Sequence, residues 1–260
     1  MLKRTFEDRL AQFIKRDGRP TVTVMQTRTN YPNLSEAHDW DAAARYMTRN
    51  RELFDMDYYG RRTKDLKRAV DLVEDPRNIV VVDAGCGDGY DLAVLATFFP
   101  NRHFFGYDSS QEMVKLAHSR IRRHRIGNVH IVQASHEEAL EHLGAVNADL
   151  ALSMFTILTR TGHVQIDART FDDPGWEPYF RDNLGAAQLA SHLKGVRSLL
   201  KEGGRVWMIR PVCCEWSLHV EAEIARRSGL TIDWVPTYLI GKEAEDGSGR
   251  GEYSMFFAAT

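Results

Sequence analysis

A run of β-branched residues, Ile79 to Val82, ends in Asp83 and passes into glycines at every second position: Gly85, Gly87 and Gly89. Successive side chains of a strand point to opposite faces, so an unbroken apolar run reads as a strand buried on both sides, as in a parallel sheet. The glycines let the backbone turn sharply at the strand's carboxyl end and keep side chains out of the space in front of it. The next segment, YDLAVLATFF, has the length and apolar character of a buried helix, whose N-terminus opens on that same space. Strand, glycine turn and helix in this order commit the region to an α/β architecture with a ligand cradle at the turn.

The rhythm continues down the chain. HFFGYD, SQEMVKLAHSRIRRH, VHIVQA and ADLALSMF alternate strand-like and helix-like patterns, which predicts a doubly wound, mostly parallel seven-stranded sheet with helices on both faces. After a polar and aromatic interval, GAAQLASHLKGVRSLL reads as a helix closed by a turn at Gly203 and Gly204, followed by a strand through VWMIRP. A helix over HVEAEIARRSG, a strand over LTIDWVPTYLI and a last strand over GEYSMFFAA complete the chain. Only KEAEDGSGRGE joins the last two strands, and a link without a helix predicts that the final strand runs antiparallel. Residues 1–60 follow a different pattern: a charged amphipathic helix, a short β-like TVTVM, an irregular stretch and a helix around WDAAARYMTRNRELF. They read as a substrate-covering cap, a surface also suited to oligomer contacts, with the core over 61–260. The interval 159–182 reads as an inserted lid, because ordinary βα connections take about two to six residues.

Composition narrows the function classes. With 260 residues, 43% of them hydrophobic, the chain can bury a full α/β core. A formal net charge of −2 lacks the basic excess of a dedicated nucleic-acid binder and favours a small or protein substrate. The basic run SRIRRHR reads as a solvated helix C-terminus, where cations are favoured, in preference to a nucleic-acid patch. No stretch approaches the roughly 18 apolar residues of a membrane span, and MLKRTFEDRL is charged where a secretory leader is apolar, so a cytoplasmic, non-membrane protein is expected. Three cysteines, two of them adjacent, give neither a disulfide framework nor the spacing of a zinc site, and no metal is expected.

The register of the glycine loop is specific. Dinucleotide-binding loops read G-x-G-x-x-G, whereas Asp83-Ala84-Gly85-Cys86-Gly87-Asp88-Gly89 brings the third glycine one place early. In that register the loop resembles the first motif of class I S-adenosylmethionine-dependent methyltransferases, an acidic residue followed by x-G-x-G-x-G. The resemblance, over about 75–260, implies S-adenosylmethionine as cofactor and Asp83, Gly85, Cys86 and Gly87 as cofactor-binding, with Asp83 and Asp88 suited to a cationic ligand. Cys86 is also read as a small packing residue. Asp108, about 20 residues further on at the end of HFFGYD, can accept both hydrogen bonds of a ribose diol, and the resemblance places the ribose-binding acid at this strand end. Ser109, Ser110 and Met113 are candidates beside adenine, Met113 reading first as plain helix core. Where the family commonly carries an aspartate near the adenine amino group, this chain has Ala134-Ser135-His136, so Ser135 or a backbone group takes that place. Ser153 falls in the family's motif IV region, yet Ser153-Met154-Phe155 does not spell the N/D-P-P-Y/F of adenine, cytosine-N4 and glutamine amide methylases. The plain structural readings are a ligand-free strand–helix turn for the glycines, a helix cap for Asp83 and a turn residue in Asp108.

Methyl transfer is an in-line displacement, so alignment supplies much of the catalysis and a base is needed only when the nucleophile carries a proton. His163 is the candidate base, since an unperturbed imidazole titrates near neutrality. Tyr31 and Tyr59 of the cap, Trp176 and Tyr179 of the lid, and Arg210 at the exit of the fifth strand are candidate substrate contacts. An aromatic-rich wall of this kind suits a small, partly apolar or cationic acceptor. The function expected is transfer of a methyl group to an oxygen or nitrogen of a small molecule. The alternatives are a protein or RNA methyltransferase, and a non-catalytic S-adenosylmethionine-binding interaction protein.

Overall fold

The computed structural model describes residues 5–17, 60–154, 156, 184–212, 215–233, 238–240 and 251–260. The chain divides into two compact units, Met1–Gln133 and Ala134–Thr260.

In the first unit, α1 (Phe6–Asp17) and α2 (Gly60–Glu74) precede β1 (Val80–Ala84), α3 (Tyr90–Phe98), β2 (His103–Asp108), α4 (Gln111–His124) and β3 (Val129–Gln133). β2 lies between β1 and β3 and runs parallel to both, Val81 facing Phe104 and Tyr107 facing Val132. Val81, Val82 and Ala84 are fully buried, as a strand covered on both faces requires. α3, apolar around its circumference, is buried along nearly its whole length.

α1 starts with a reciprocal cap: the Thr5 amide donates to Asp8 and the Asp8 amide to the Thr5 hydroxyl, each at 3.2 Å. Its apolar residues recur at helical spacing and bury Leu10 and Phe13. Phe13 stacks on the His124 ring at 4.1 Å and meets Tyr90 edge-on at 5.7 Å. Arg9 lies 3.9 Å over the Phe98 ring and donates to the Phe98 carbonyl at 2.7 Å. The leading helix is thus packed on α3 and α4, inside the first unit; the rest of the segment read as a cap lies outside the described residues.

The second unit holds α5 (Ala139–Leu143), β4 (Ala148–Met154), α6 (Leu184–Leu199), β5 (Leu200–Val212), α7 (Glu215–Arg227), β6 (Leu230–Ile232), β7 (Tyr238–Ile240) and β8 (Gly251–Ala259). β4 and β5 are parallel, while β8 runs antiparallel to β5, β6 and β7. Leu150, Leu152, Leu189, Leu193, Trp207 and Phe257 form the centre of its core. The buried Trp207 indole donates to the Ser254 hydroxyl at 2.6 Å, so the largest core side chain satisfies its polar atom across the β5–β8 pair.

The α/β class, the predominantly parallel pairing and the antiparallel last strand agree with the sequence. Two details differ. Gly203 and Gly204 do not precede the strand but lie within β5, in an irregularity where Ala148 faces Leu200 and Leu150 already faces Arg205. The stretch read as one strand through LTIDWVPTYLI contributes two short ones, β6 and β7, so the seven strands expected correspond to eight among the described residues. The lid interval falls outside the described residues, among which no helix is long and apolar enough to cross a membrane.

Candidate cofactor site

Three left-handed glycines shape the loop after β1: φ is 76° at Gly85, 54° at Gly87 and 69° at Gly89. Gly85 and Cys86 both donate their amides to the Tyr107 carbonyl at 2.9 Å, which ties the loop to β2. A Cβ on Gly89 would stand 2.7 Å from the Cβ of Ala117, so this glycine lets α4 approach the loop closely. A Cβ on Gly87 would meet nothing within 4 Å. The space beside Gly87 is open.

Asp108, at the end of β2, stands beside Gly87. Its Oδ2 accepts the Gly87 amide and its Oδ1 the Ser110 amide, both at 2.9 Å. These two bonds fix the orientation of its carboxylate. Ser110 is the N-cap of α4, its hydroxyl accepting the Met113 amide at 3.2 Å. Met113 is buried in the first turn of that helix, and Ser109 is exposed, its carbonyl accepting from the Gln133 amide group at 3.3 Å.

The electrostatics favour a cation. Asp83 is buried and Asp108 half-buried beside the loop. Burial pushes the Cys86 thiol well above the usual thiol range, and the charges of Asp108, Asp83 and Asp88 push it in the same direction. Cys86 therefore stays a neutral packing side chain, and the field that resists a thiolate would attract a positive group. Asp88 has a different place from the one the sequence suggested: its carboxylate accepts the Tyr90 amide at 3.2 Å and pairs with Arg120 at 2.9 Å. An open glycine, an oriented carboxylate for a diol and a negative potential suit S-adenosylmethionine, whose ribose, ammonium and sulfonium need these features.

The remaining predicted residues are placed as follows. Ser135 forms a capping box: its amide donates to Glu138 Oε2 at 3.0 Å, and its hydroxyl accepts the Glu138 amide at 3.3 Å. Ser153, buried near the carboxyl end of β4, is hydrogen-bonded at 2.8 Å to Nε2 of His192 on α6. His192 Nδ1 lies 3.2 Å from His136 Nδ1, with the rings at 76°. Burial lowers the His136 pKa to about 4, against the opposing charge of Glu137, which accepts from the Ser191 hydroxyl. A Cβ on Gly195 would collide with the His136 carbonyl at 2.2 Å, which shows how closely α6 seats on this turn. Arg210 occupies β5 opposite Tyr253. Tyr31, Tyr59, His163, Trp176 and Tyr179 lie outside the described residues.

The structure thus brings Gly85, Cys86, Gly87 and Asp108 together in one loop assembly. Sequence reasoning missed Arg120, His192 and the role of His136. A basic residue in a helix's last turns reads as solvated, and a lone histidine in the apolar GAAQLASHLKGV reads as core, so neither signals its partner. No group of three or more His, Cys, Asp or Glu suited to a metal occurs among the described residues.

Comparison with known structures places this geometry. The chain resembles the StiE O-MT segment 961–1257, with 13% identity and a TM-score of 0.53 over 84% of this chain and 80% of that one. It also resembles M. jannaschii TYW2 in complex with AdoMet, with 18% identity and a TM-score of 0.51 over 76% and 75% of the two chains. At these identities the likeness is one of fold. No curated protein matches the sequence significantly. Residues 75–243, more than half of the chain, match the family model described as a methyltransferase domain. With the glycine loop, the oriented Asp108 and the α/β fold, this match makes the chain a member of the class I S-adenosylmethionine-dependent methyltransferases.

Proposed function

We propose that this methyltransferase holds its cofactor on the Gly85–Gly89 loop and Asp108, and methylates an oxygen or nitrogen atom of a small molecule. The observation that carries the cofactor assignment is the pair of 2.9 Å bonds that fix Asp108 beside the open side of Gly87. In this reading Asp108 accepts the ribose hydroxyls, while Asp83 supplies negative charge toward the ammonium and sulfonium. Gly85 and Gly87 keep the loop free of side chains, and Ser109 and Met113 lie at the start of the helix nearest the adenine. Bound S-adenosylmethionine supplies a methyl carbon already activated by its sulfonium. The chain's task is then to orient the acceptor, exclude water and, for a protonated nucleophile, remove a proton, the role assigned to His163. Residues 159–182, with Trp176 and Tyr179, are assigned to covering the acceptor.

An acceptor other than nucleic acid is supported by the net charge of −2 and by the use made of the basic run. Arg120, which is buried, and Arg123 both pair with Asp17, which leaves fewer cations for a phosphate backbone.

Calorimetry and methyl incorporation test the reading. S-adenosylhomocysteine should bind and raise Tm, and NADH should not. Asp108→Ala should weaken S-adenosylhomocysteine by about one to two orders of magnitude, from hydrogen bonds to a charged group worth roughly 1.5–3 kcal/mol. Isotope-labelled S-adenosylmethionine should label the small-molecule fraction of a cell extract. Label confined to RNA or protein would overturn the acceptor class, and binding without any label would overturn the catalytic reading.

A further inference from the structure

We infer that Arg120 is a positioning residue for the cofactor loop, and that docking of α1 and binding of the cofactor are coupled through it. The inference rests on the assignment of the glycine loop to S-adenosylmethionine.

The guanidinium of Arg120 lies between two carboxylates from distant parts of the sequence. Its Nε is 3.4 Å from Oδ1 of Asp17, the last residue of α1, and its Nη1 is 2.9 Å from Oδ2 of Asp88, in the loop. The same nitrogen donates to the Asp88 backbone carbonyl. All three side chains are withdrawn from water, with exposures of 8% for Arg120, 0% for Asp17 and 16% for Asp88. Arginine suits the position because its planar fork presents several donors in fixed directions; an ammonium would be a point charge without that orientation. Asp17 is itself held from two more directions. Arg123 donates to its carbonyl at 2.9 Å, and His124 Nε2 lies 3.0 Å from its carboxylate. The stacking of Phe13 on His124 adds an apolar anchor one turn earlier in α1.

From Asp88 the chain of constraint reaches the site directly. Its carboxylate caps the first turn of α3 through Tyr90, its carbonyl is fixed by Arg120, and its neighbour Gly87 donates to Asp108. Undocking α1 would remove Asp17 from one side of the guanidinium and release the direction in which Arg120 holds Asp88. The peptide between Asp88 and Gly87 would then sample orientations that do not point the Gly87 amide at Asp108. Coupling of binding events is reciprocal, so a cofactor that prefers the ordered loop must in turn favour docked α1.

Hydrogen exchange and calorimetry on the full-length chain test this with S-adenosylhomocysteine as the probe. In the wild type, the ligand should slow amide exchange across residues 85–89 and also across 6–17. Asp17→Asn, which keeps the side chain's shape, should weaken the ligand by about five- to twenty-fold, within the usual range of coupling. At saturating ligand it should retain protection of 85–89 and lose the ligand-dependent protection of 6–17. Arg120→Lys should weaken binding at least as much. Exchange of 6–17 that ignores the ligand in the wild type overturns the coupling without any variant. A drop in affinity for Asp17→Asn with unaltered wild-type exchange at 6–17 marks a charge effect and overturns it equally. If the ligand binds but leaves 85–89 unprotected, the loop assignment itself fails and takes the coupling with it.

Discussion

Gly87 and Gly89 share a left-handed backbone, with φ of 54° and 69°, but their surroundings set different consequences for an added methyl group. An L-residue at either position costs about 1–2 kcal/mol of backbone strain. At Gly89 the methyl also collides with Ala117, so Gly89→Ala should lower the urea midpoint markedly. At Gly87 the methyl enters open space, so Gly87→Ala should stay folded, lose no more than the strain energy, and weaken S-adenosylhomocysteine more than tenfold by filling the cradle. Paired denaturation and binding curves check both. The glycines and Asp108 were legible in the sequence because their spacing relative to β1 and β2 follows from the strand–turn–helix pattern. The partner of Asp88 was not. Arg120 lies 32 residues away, and periodicity tells which face of α4 is buried without telling which carboxylate a buried cation meets.

At the scale of elements, long periodic segments were read correctly, and features that depend on a neighbouring strand were not. β1 and α4 announce themselves through an apolar run and a helical repeat, independent of context. The irregularity in β5 and the division into β6 and β7 depend on pairing with β4 and β8, and register is a property of two strands. The charged helix near the start was legible as a helix, but its seat on α3 and α4 arises from Phe13, His124 and Asp17, which no local pattern connects. The interval 159–182 is an element whose role the sequence alone suggests. If it covers the acceptor, Trp176→Ala should raise the acceptor's KM or lower kcat by several-fold while leaving S-adenosylhomocysteine affinity nearly unaltered. Limited proteolysis should cut within it more slowly when cofactor and acceptor are both present; equal rates with and without them would dismiss the lid.

At the scale of the whole molecule, acid stability should report on the histidine chain. His136 falls from an ordinary histidine value of 6.5 to about 4 in the folded state, chiefly through burial. The unfolded chain therefore binds the proton more readily. The full contribution is present above pH 6.5 and is lost as the pH falls from 6.5 to 4, by up to about 3 kcal/mol, a large share of a typical domain's stability. His124, also lowered by burial, acts in the same direction, so the comparison must be made against a variant. Urea midpoints at pH 7.5 and 4.5 should fall further apart in the wild type than in His136→Gln. Equal slopes would mean that His136 is not held neutral. Nδ1 of His136 and Nδ1 of His192 are 3.2 Å apart, and a hydrogen bond between them needs one nitrogen to donate and the other to accept; for a pair of neutral rings that means opposite tautomers. If His192 carries the shared proton, its Nε2 is bare and Ser153 donates to it; if His136 carries it, His192 donates to Ser153 and the hydroxyl proton turns elsewhere. A single proton choice on the turn after β3 thereby sets whether a hydroxyl near the end of β4 gives or takes a hydrogen bond.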